Sequence, residues 1–323
     1  MSFLSKFGAN VAIVALFGVF AAPAAAQDTL PMTQLAPDVW VQFSQGGNGN
    51  STAVIGRTSV ILIEPRQDEA GAKALLDAIA KITPKPVMTL IPTHITFIIH
   101  DNAKAGHANG LPGYPAGAKV ITHETGRKEL VAAFAEGGHG TLPSGVLTAV
   151  SGTKTTMTVD GVPLEIYSWA PAHTEGDLTI YLPNQKIAAT GDLILDNRAD
   201  DNQVIHPDRN GTAAGWFTNV KGMLSLDCEA FVPGHGTMKT KAGLQQKLTA
   251  TQARYDKIAA MIKEGKSLAE IKAALPDAPN PPNPNAPARA ARAGGAGRAG
   301  GAAPRGEAAV GYVDVVYAEM TKK

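Results

Sequence analysis

A mixed α/β (α+β) fold is the expectation from this sequence, and three observations lead to it. Two short β-branched runs, residues 59–63 and 87–91, flank a segment at 69–82 whose Ala72, Leu75, Leu76, Ile79 and Ile82 repeat at helical spacing. Strand, helix and strand in that order make a βαβ unit with parallel strands. Residues 178–182 and 187–190 are β-prone runs on either side of Pro-Asn-Gln-Lys, the pattern of an antiparallel hairpin. Histidines also follow predicted strand ends, at Thr93-His94 and Gly234-His235-Gly236, where open α/β folds place their sites.

The chain has 323 residues, 44% hydrophobic and 18% charged, enough for one large domain or two small ones. A net charge of +1 offers no electrostatic ground for a nucleic-acid partner or an acidic surface. Lys6, the apolar run 11–20 and Ala24-Ala25-Ala26 before Gln27 have the pattern of a bacterial export signal. Residues 1–26 are therefore expected to be cleaved, leaving a periplasmic or secreted chain. That apolar run is short for a bilayer, and no membrane span is expected after cleavage. The one cysteine, Cys228, cannot form an internal disulfide; it precedes an apolar strand and reads as a buried, inert thiol.

In chain order, residues 39–43, 51–55 and 59–63 are short β runs separated by Gly/Asn turns, a meander. The Gly/Asn-rich 46–51 stretch lacks the lysine of a phosphate loop and reads as a turn. After the βαβ unit, residues 92–115 carry His94, His100, Asp101 and His107. A strand is expected at 120–122, a helix at 126–135, and a loop with a β segment over 143–165. Beyond the hairpin come a polar stretch at 196–211, a helix at 212–226, a strand at 230–232 and an amphipathic helix at 241–265. Residues 267–275 open with Ser-x-x-Glu, a capping box. Residues 276–309 contain no aromatic or branched aliphatic side chain, which predicts a disordered Pro/Ala/Gly/Arg linker between a domain at 27–275 and a C-terminal segment at 310–323. That last segment resumes an apolar pattern, helical or strand-like, and is expected to pack back on the domain.

If Leu182 faces Ile187 across the hairpin turn, Asp192 falls opposite Asp177 and at the same end as His173. An imidazole and two carboxylates at one rim suit a metal or proton-transfer site, although capped, solvated acids would give the same pattern. His94, His107, His173, Asp192 and His235 are spaced by 66 residues from His107 to His173, then 19 and 43. Together with Ala172-His173-Thr-Glu-Gly-Asp177, Thr190-Gly191-Asp192 and Pro233-Gly234-His235-Gly236, this order resembles the metallo-β-lactamase fold superfamily of metallohydrolases over about residues 35–260. Asp192 stands where one group of class B β-lactamases has cysteine, which makes the chain more similar to the glyoxalase-II-type hydrolases.

The resemblance implies a four-layer αβ/βα sandwich with two metal ions at its seam, zinc first, with iron or manganese also compatible. It implies that His94, His173 and one further imidazole hold the first metal. His107, Asp192 and His235 hold the second, and Asp192 bridges both. Asp192 is thus the expected catalytic residue, positioning a metal-held hydroxide, and Asp177 is expected to orient a ligand rather than bind metal. One motif departs from the family. The expected His-x-His-x-Asp-His begins at His94, but Thr96, Ile98 and Ile99 occupy the other positions. An eight-residue insertion would leave His94 and His107 as its ends, with His100 and Asp101 either supplying the middle ligands or forming an exposed polar pair. Three functions remain open at this level: a zinc-dependent hydrolase of a small ester, thioester or lactone; a β-lactam hydrolase; and a degenerate metal- or ligand-binding protein without catalysis.

Overall fold

The computed structural model describes residues 31–43, 49–95, 107–136, 141–145, 147–277 and 310–322. The expected export signal at residues 1–26, His100, Asp101 and residues 278–309 lie outside them. Among the described residues, thirteen strands form two sheets. In the first, β1 (Thr33–Ala36), β2 (Val39–Gln42), β3 (Ser51–Ile55), β4 (Val60–Ile63), β5 (Val87–Ile91), β6 (Lys119–His123) and β7 (Leu147–Val150) lie side by side in chain order. Pairing is antiparallel up to β4 and parallel from β4 to β7. The parallel half needs three crossovers, and α1 (Glu69–Ala80) and α2 (Glu124–Glu136) supply the first and the last. The βαβ unit is the expected one, with Ile61 opposite Thr89 and Ile63 opposite Ile91.

The second sheet contains β8 (Lys154–Val159), β9 (Val162–Tyr167), β10 (Thr179–Leu182), β11 (Ile187–Leu195), β12 (Ala230–His235) and β13 (Lys239–Thr240). Its neighbours are antiparallel except β11 and β12, which α3 (Ala213–Ser225) joins in parallel. Leu182 pairs with Ile187 and Ile180 with Ala189, the register inferred from the hairpin. Three more helices follow: α4 (Lys241–Lys263), α5 (Leu268–Ala274) and α6 (Tyr312–Thr321).

Strand periodicity builds the layers. Successive side chains on β4 point to opposite faces. Ile61 and Ile63 pack between the sheets against Leu164, Ile180, Leu182 and Val232. Val60 and Leu62 face the other way, onto Leu75 and Ile79 of α1. The outer face of the second sheet does the same with Ala188 and Phe231 against Trp216, Val220 and Met223 of α3 and Leu244 of α4. The result is helix, sheet, sheet, helix, the four-layer sandwich. Burying each such Leu, Ile or Phe is worth about 1.5–3 kcal/mol, so the inter-sheet layer and the two helix–sheet layers are all large cohesive terms.

Local chemistry sets the helix ends. Asp68 caps α1 by accepting from the Gly71 N–H at 2.7 Å, and Ser267 with Glu270 forms the expected capping box of α5. Two features differ from the sequence reading, and a third resolves an alternative it left open. β11 runs to Leu195 rather than stopping at Thr190, because parallel pairing with β12 carries it past a kink at Gly191. β12 likewise continues through Pro233-Gly234 to His235. The 310–320 segment is a helix, since Tyr312, Val313, Val315 and Val316 bury against Ile258 and Ile271 of α4 and α5. No described helix is long and apolar enough to cross a membrane.

Candidate metal centre

Four strands or their adjoining loops bring ligand side chains to one rim. His94 follows β5, His173 lies in the loop between β9 and β10, His235 closes β12, and Asp192 projects from within β11. His107 joins them from the segment ahead of β6. The kink at Gly191 is what turns Asp192 inward. Its φ of +51° suits glycine, and a Cβ there would overlap Thr93 Oγ. Gly234 leaves room for the carboxylate itself, because a Cβ on it would overlap Asp192 Oδ1.

The Asp192 carboxylate divides its two oxygens between two pairs of imidazoles. Oδ1 lies 3.4 Å from His107 Nε2 and 3.6 Å from His235 Nε2. Oδ2 lies 3.8 Å from both His94 Nε2 and His173 Nε2. Two triads result, His94–His173–Asp192 and His107–Asp192–His235, each with its ligand atoms within 4.8 Å of one another. Most of these separations are longer than hydrogen bonds. They are close to the roughly 3.3 Å edge of a tetrahedron built on zinc–ligand bonds of about 2.0–2.1 Å. His94 Nε2, His107 Nε2 and Asp192 Oδ1 are buried without a hydrogen-bond partner among the described residues. Leaving such atoms unpaired costs about 1–3 kcal/mol each, a penalty that a cation among them removes. The donor set, four imidazoles and a carboxylate, fits zinc and also admits iron or manganese.

Electrostatics favour the ligating protonation states of His94, His173, His235 and Asp192, and the protonated form of His107. Burial drives His94 well below its usual pKa, with His107 and His173 adding to the effect, and pushes His173 down to about 4. His235 is lowered by burial as well. Burial would raise Asp192, but His107 and His235 hold its carboxyl well below the usual range. Burial opposes the charged form of His107 too, yet Glu64 and Asp192 on either side hold it well above the ordinary value. The Val204 carbonyl, 2.9 Å from His173 Nδ1, can only accept, so the proton sits on Nδ1 and the Nε2 lone pair faces Asp192. His94, His107 and His173 are buried while Asp192 and His235 are partly exposed, so the centre opens on their side.

No protein-family model matches the chain. Among solved structures it is similar to the stereoselective inverting sec-alkylsulfatase of a Pseudomonas species, with a TM-score of 0.62 and 18% identity over 78% of this chain and 46% of that one. It is also similar to a metallo-β-lactamase from Pontibacter korlensis, with a TM-score of 0.53 and 22% identity over 69% and 99% of the two chains. The chain has the metallo-β-lactamase fold. By sequence it is 26% identical to a type 2 metallo-β-lactamase of Bacillus sp. (strain 170), over 66% of this chain and 79% of the relative. It is 28% identical to the 2,4-dinitroanisole O-demethylase subunit alpha of Nocardioides sp. (strain JS1661), over 57% of this chain and 51% of that one. The chain thus spans about half the length of the demethylase subunit and of the alkylsulfatase.

On this metallo-β-lactamase fold, Asp177 stands outside both triads. Its carboxylate accepts from Thr174 N–H at 2.9 Å and Thr174 Oγ at 2.7 Å, shaping the loop that presents His173, and burial pushes its pKa up to about 7. Cys228 takes no part; it is buried, and burial raises its thiol to about 11. Two residues at the centre, Glu64 and Asn50, escaped the sequence reading, while His206 lies within its polar 196–211 stretch. Glu64, just past β4, lies against His107 Nδ1 and accepts from Thr93 N–H at 2.8 Å. Its position after a strand and before a proline was the available signal. Asn50, inside the stretch taken for a turn, donates from Nδ2 to the carbonyls of Pro233 and Gly236 at 2.8 and 3.0 Å. His206 stands edge-on to His173 with ring centroids 4.7 Å apart, and its backbone N–H donates to the His173 carbonyl at 2.9 Å.

Proposed function

We propose that this chain is an exported, metal-dependent hydrolase that acts on a small ester, thioester or lactone. The observation that carries the reading is the divided carboxylate of Asp192, with one oxygen toward each pair of imidazoles. His94, His173 and Asp192 would hold one divalent ion, and His107, Asp192 and His235 the other, with zinc the expected metal. Bound there, such ions supply Lewis acidity and lower the pKa of water from 15.7 to about 7.

The chain's own residues do the rest. Asp192 stays ionised and ties the two ligand sets to one rigid strand. Asp177 and the Val204 carbonyl fix the His173 loop and ring. His206, partly exposed beside His173, borders the substrate side. A β-lactam substrate is the second reading, favoured by type 2 metallo-β-lactamase relatives at 26% and 24% identity that are matched over 79% and 77% of their length.

The test is elemental analysis of the purified protein together with turnover on an ester, thioester, lactone, β-lactam, phosphoester and sulfate-ester panel. Metal with turnover of an ester, thioester or lactone supports the leading reading, and lactam turnover alone promotes the second. Metal without any turnover would leave a binding protein. The export part is read separately, by intact mass of the native protein, which should begin at Gln27.

A further inference from the structure

The first ligand motif is interrupted, so His94 and His107 are 13 residues apart in the chain rather than on one short turn. Something else must hold their rings in a common frame. We propose that Glu64 is the positioning residue that sets the tautomer of both, leaving each Nε2 free to face Asp192. This rests on the reading of His94 and His107 as metal ligands.

The hydrogen-bond inventory leaves little choice. An ionised carboxylate only accepts. Glu64 Oε2 lies against His107 Nδ1 without forming an aligned hydrogen bond, and a carboxylate lone pair can sit against that nitrogen only if it carries the proton, which leaves the lone pair on Nε2. Glu64 Oε1 accepts from the Thr93 N–H at 2.8 Å and from the Thr93 hydroxyl. With its one proton directed to Glu64, Thr93 Oγ can only accept from its other neighbour, His94 Nδ1, at 3.1 Å. The His94 proton therefore also sits on Nδ1, and His94 Nε2 points at Asp192. One carboxylate thus orients an imidazole of each triad, directly in one case and through a hydroxyl in the other.

The backbone around Glu64 is built to hold it there. Its φ is +64°, a costly conformation for a residue with a Cβ. Its N–H donates to the Ile91 carbonyl at 3.1 Å, and its carbonyl accepts from Ser51 Oγ at 2.6 Å, so neighbouring strands on both sides secure the turn. The side chain is buried.

Glu64→Gln is the decisive variant, because an amide has one accepting oxygen for two donors. Either Thr93 N–H or His107 Nδ1–H must then confront an NH2 group, and the second conflict is relieved only if the His107 proton moves to Nε2. Proton–nitrogen NMR of histidine-labelled protein should show hydrogen-bonded Nδ1–H signals for both His94 and His107 in the wild type. Glu64→Gln should lose the His107 signal, and Thr93→Val should lose the His94 signal alone. Metal affinity, measured by chelator competition, should fall about 10- to 100-fold in Glu64→Gln. Retention of both signals, or wild-type affinity, in Glu64→Gln overturns the assignment. If that variant does not fold, Thr93→Val still decides, since an unchanged His94 signal contradicts the relay. If the wild type binds no metal, the hydrolase reading fails while the Nδ1–H signals still judge Glu64.

Discussion

Asp160, in the β8–β9 turn of the second sheet, accepts from the backbone N–H and the hydroxyl of Ser59 beside β4 of the first, at 2.7 and 2.9 Å. Thr58 N–H and Oγ donate to the same carboxylate, each at 2.9 Å. One side chain thus clasps the two sheets at the edge away from the metal centre. Those hydrogen bonds, from Thr58 first, lower the Asp160 pKa from 3.8 to about 2. A carboxylate with a depressed folded-state pKa stabilises the fold above its unfolded value and loses that contribution as pH falls through the folded one. Melting temperatures of metal-free wild type and Asp160→Asn should therefore differ most at pH 5 and converge toward pH 2. A constant gap across that range would show that ionisation of Asp160 does not strengthen the clasp.

Asp192→Asn keeps the size of the side chain but replaces one accepting oxygen with a donor facing two imidazoles. Turnover should fall by orders of magnitude and metal content by about one ion per chain, with the fold intact by circular dichroism. Asp177→Asn should cost less, roughly 10- to 100-fold, because it acts only through the His173 loop. Equal turnover of Asp192→Asn and wild type on any hydrolysed substrate would exclude the bridging role.

Asn50→Ala should weaken the second triad without touching a ligand. The amide satisfies the Pro233 and Gly236 carbonyls on either side of His235, and its own N–H donates to the Gly234 carbonyl at 2.7 Å. Removing the side chain strands two acceptors, at about 1–3 kcal/mol each where they are buried. Chemical denaturation should register the loss, and chelator competition should show weaker metal binding than wild type.

Truncation before residue 310 should destabilise the domain although it leaves every site residue in place. It removes Tyr312, Val313, Val315 and Val316 and uncovers Ile258 and Ile271. At about 1.5–3 kcal/mol for each large apolar side chain, the loss is a sizeable part of a typical domain's stability. A lower melting temperature with increased binding of a hydrophobic dye is the expected result.

Local patterns were enough for much of this protein. The βαβ unit, the hairpin register and the capping box depend on residues near one another, and their periodicity and turn chemistry are written in short stretches. Asp192 and His235 each stand directly after a glycine, and His173 three residues before one, and those short motifs carried the family resemblance that singled them out. Tertiary structure decided the rest. Whether 310–320 became helix or strand depended on the apolar groove it met. The extension of β11 to Leu195 depended on a partner strand that begins 35 residues later. Glu64 reaches Thr93 across 29 residues and Asn50 reaches Pro233 across 183, so the place of Glu64 after a strand gives no clue to its partner, and Asn50 leaves no mark in its own neighbourhood. Buried polar atoms must find partners wherever the fold brings them, and that requirement acts through space rather than along the chain.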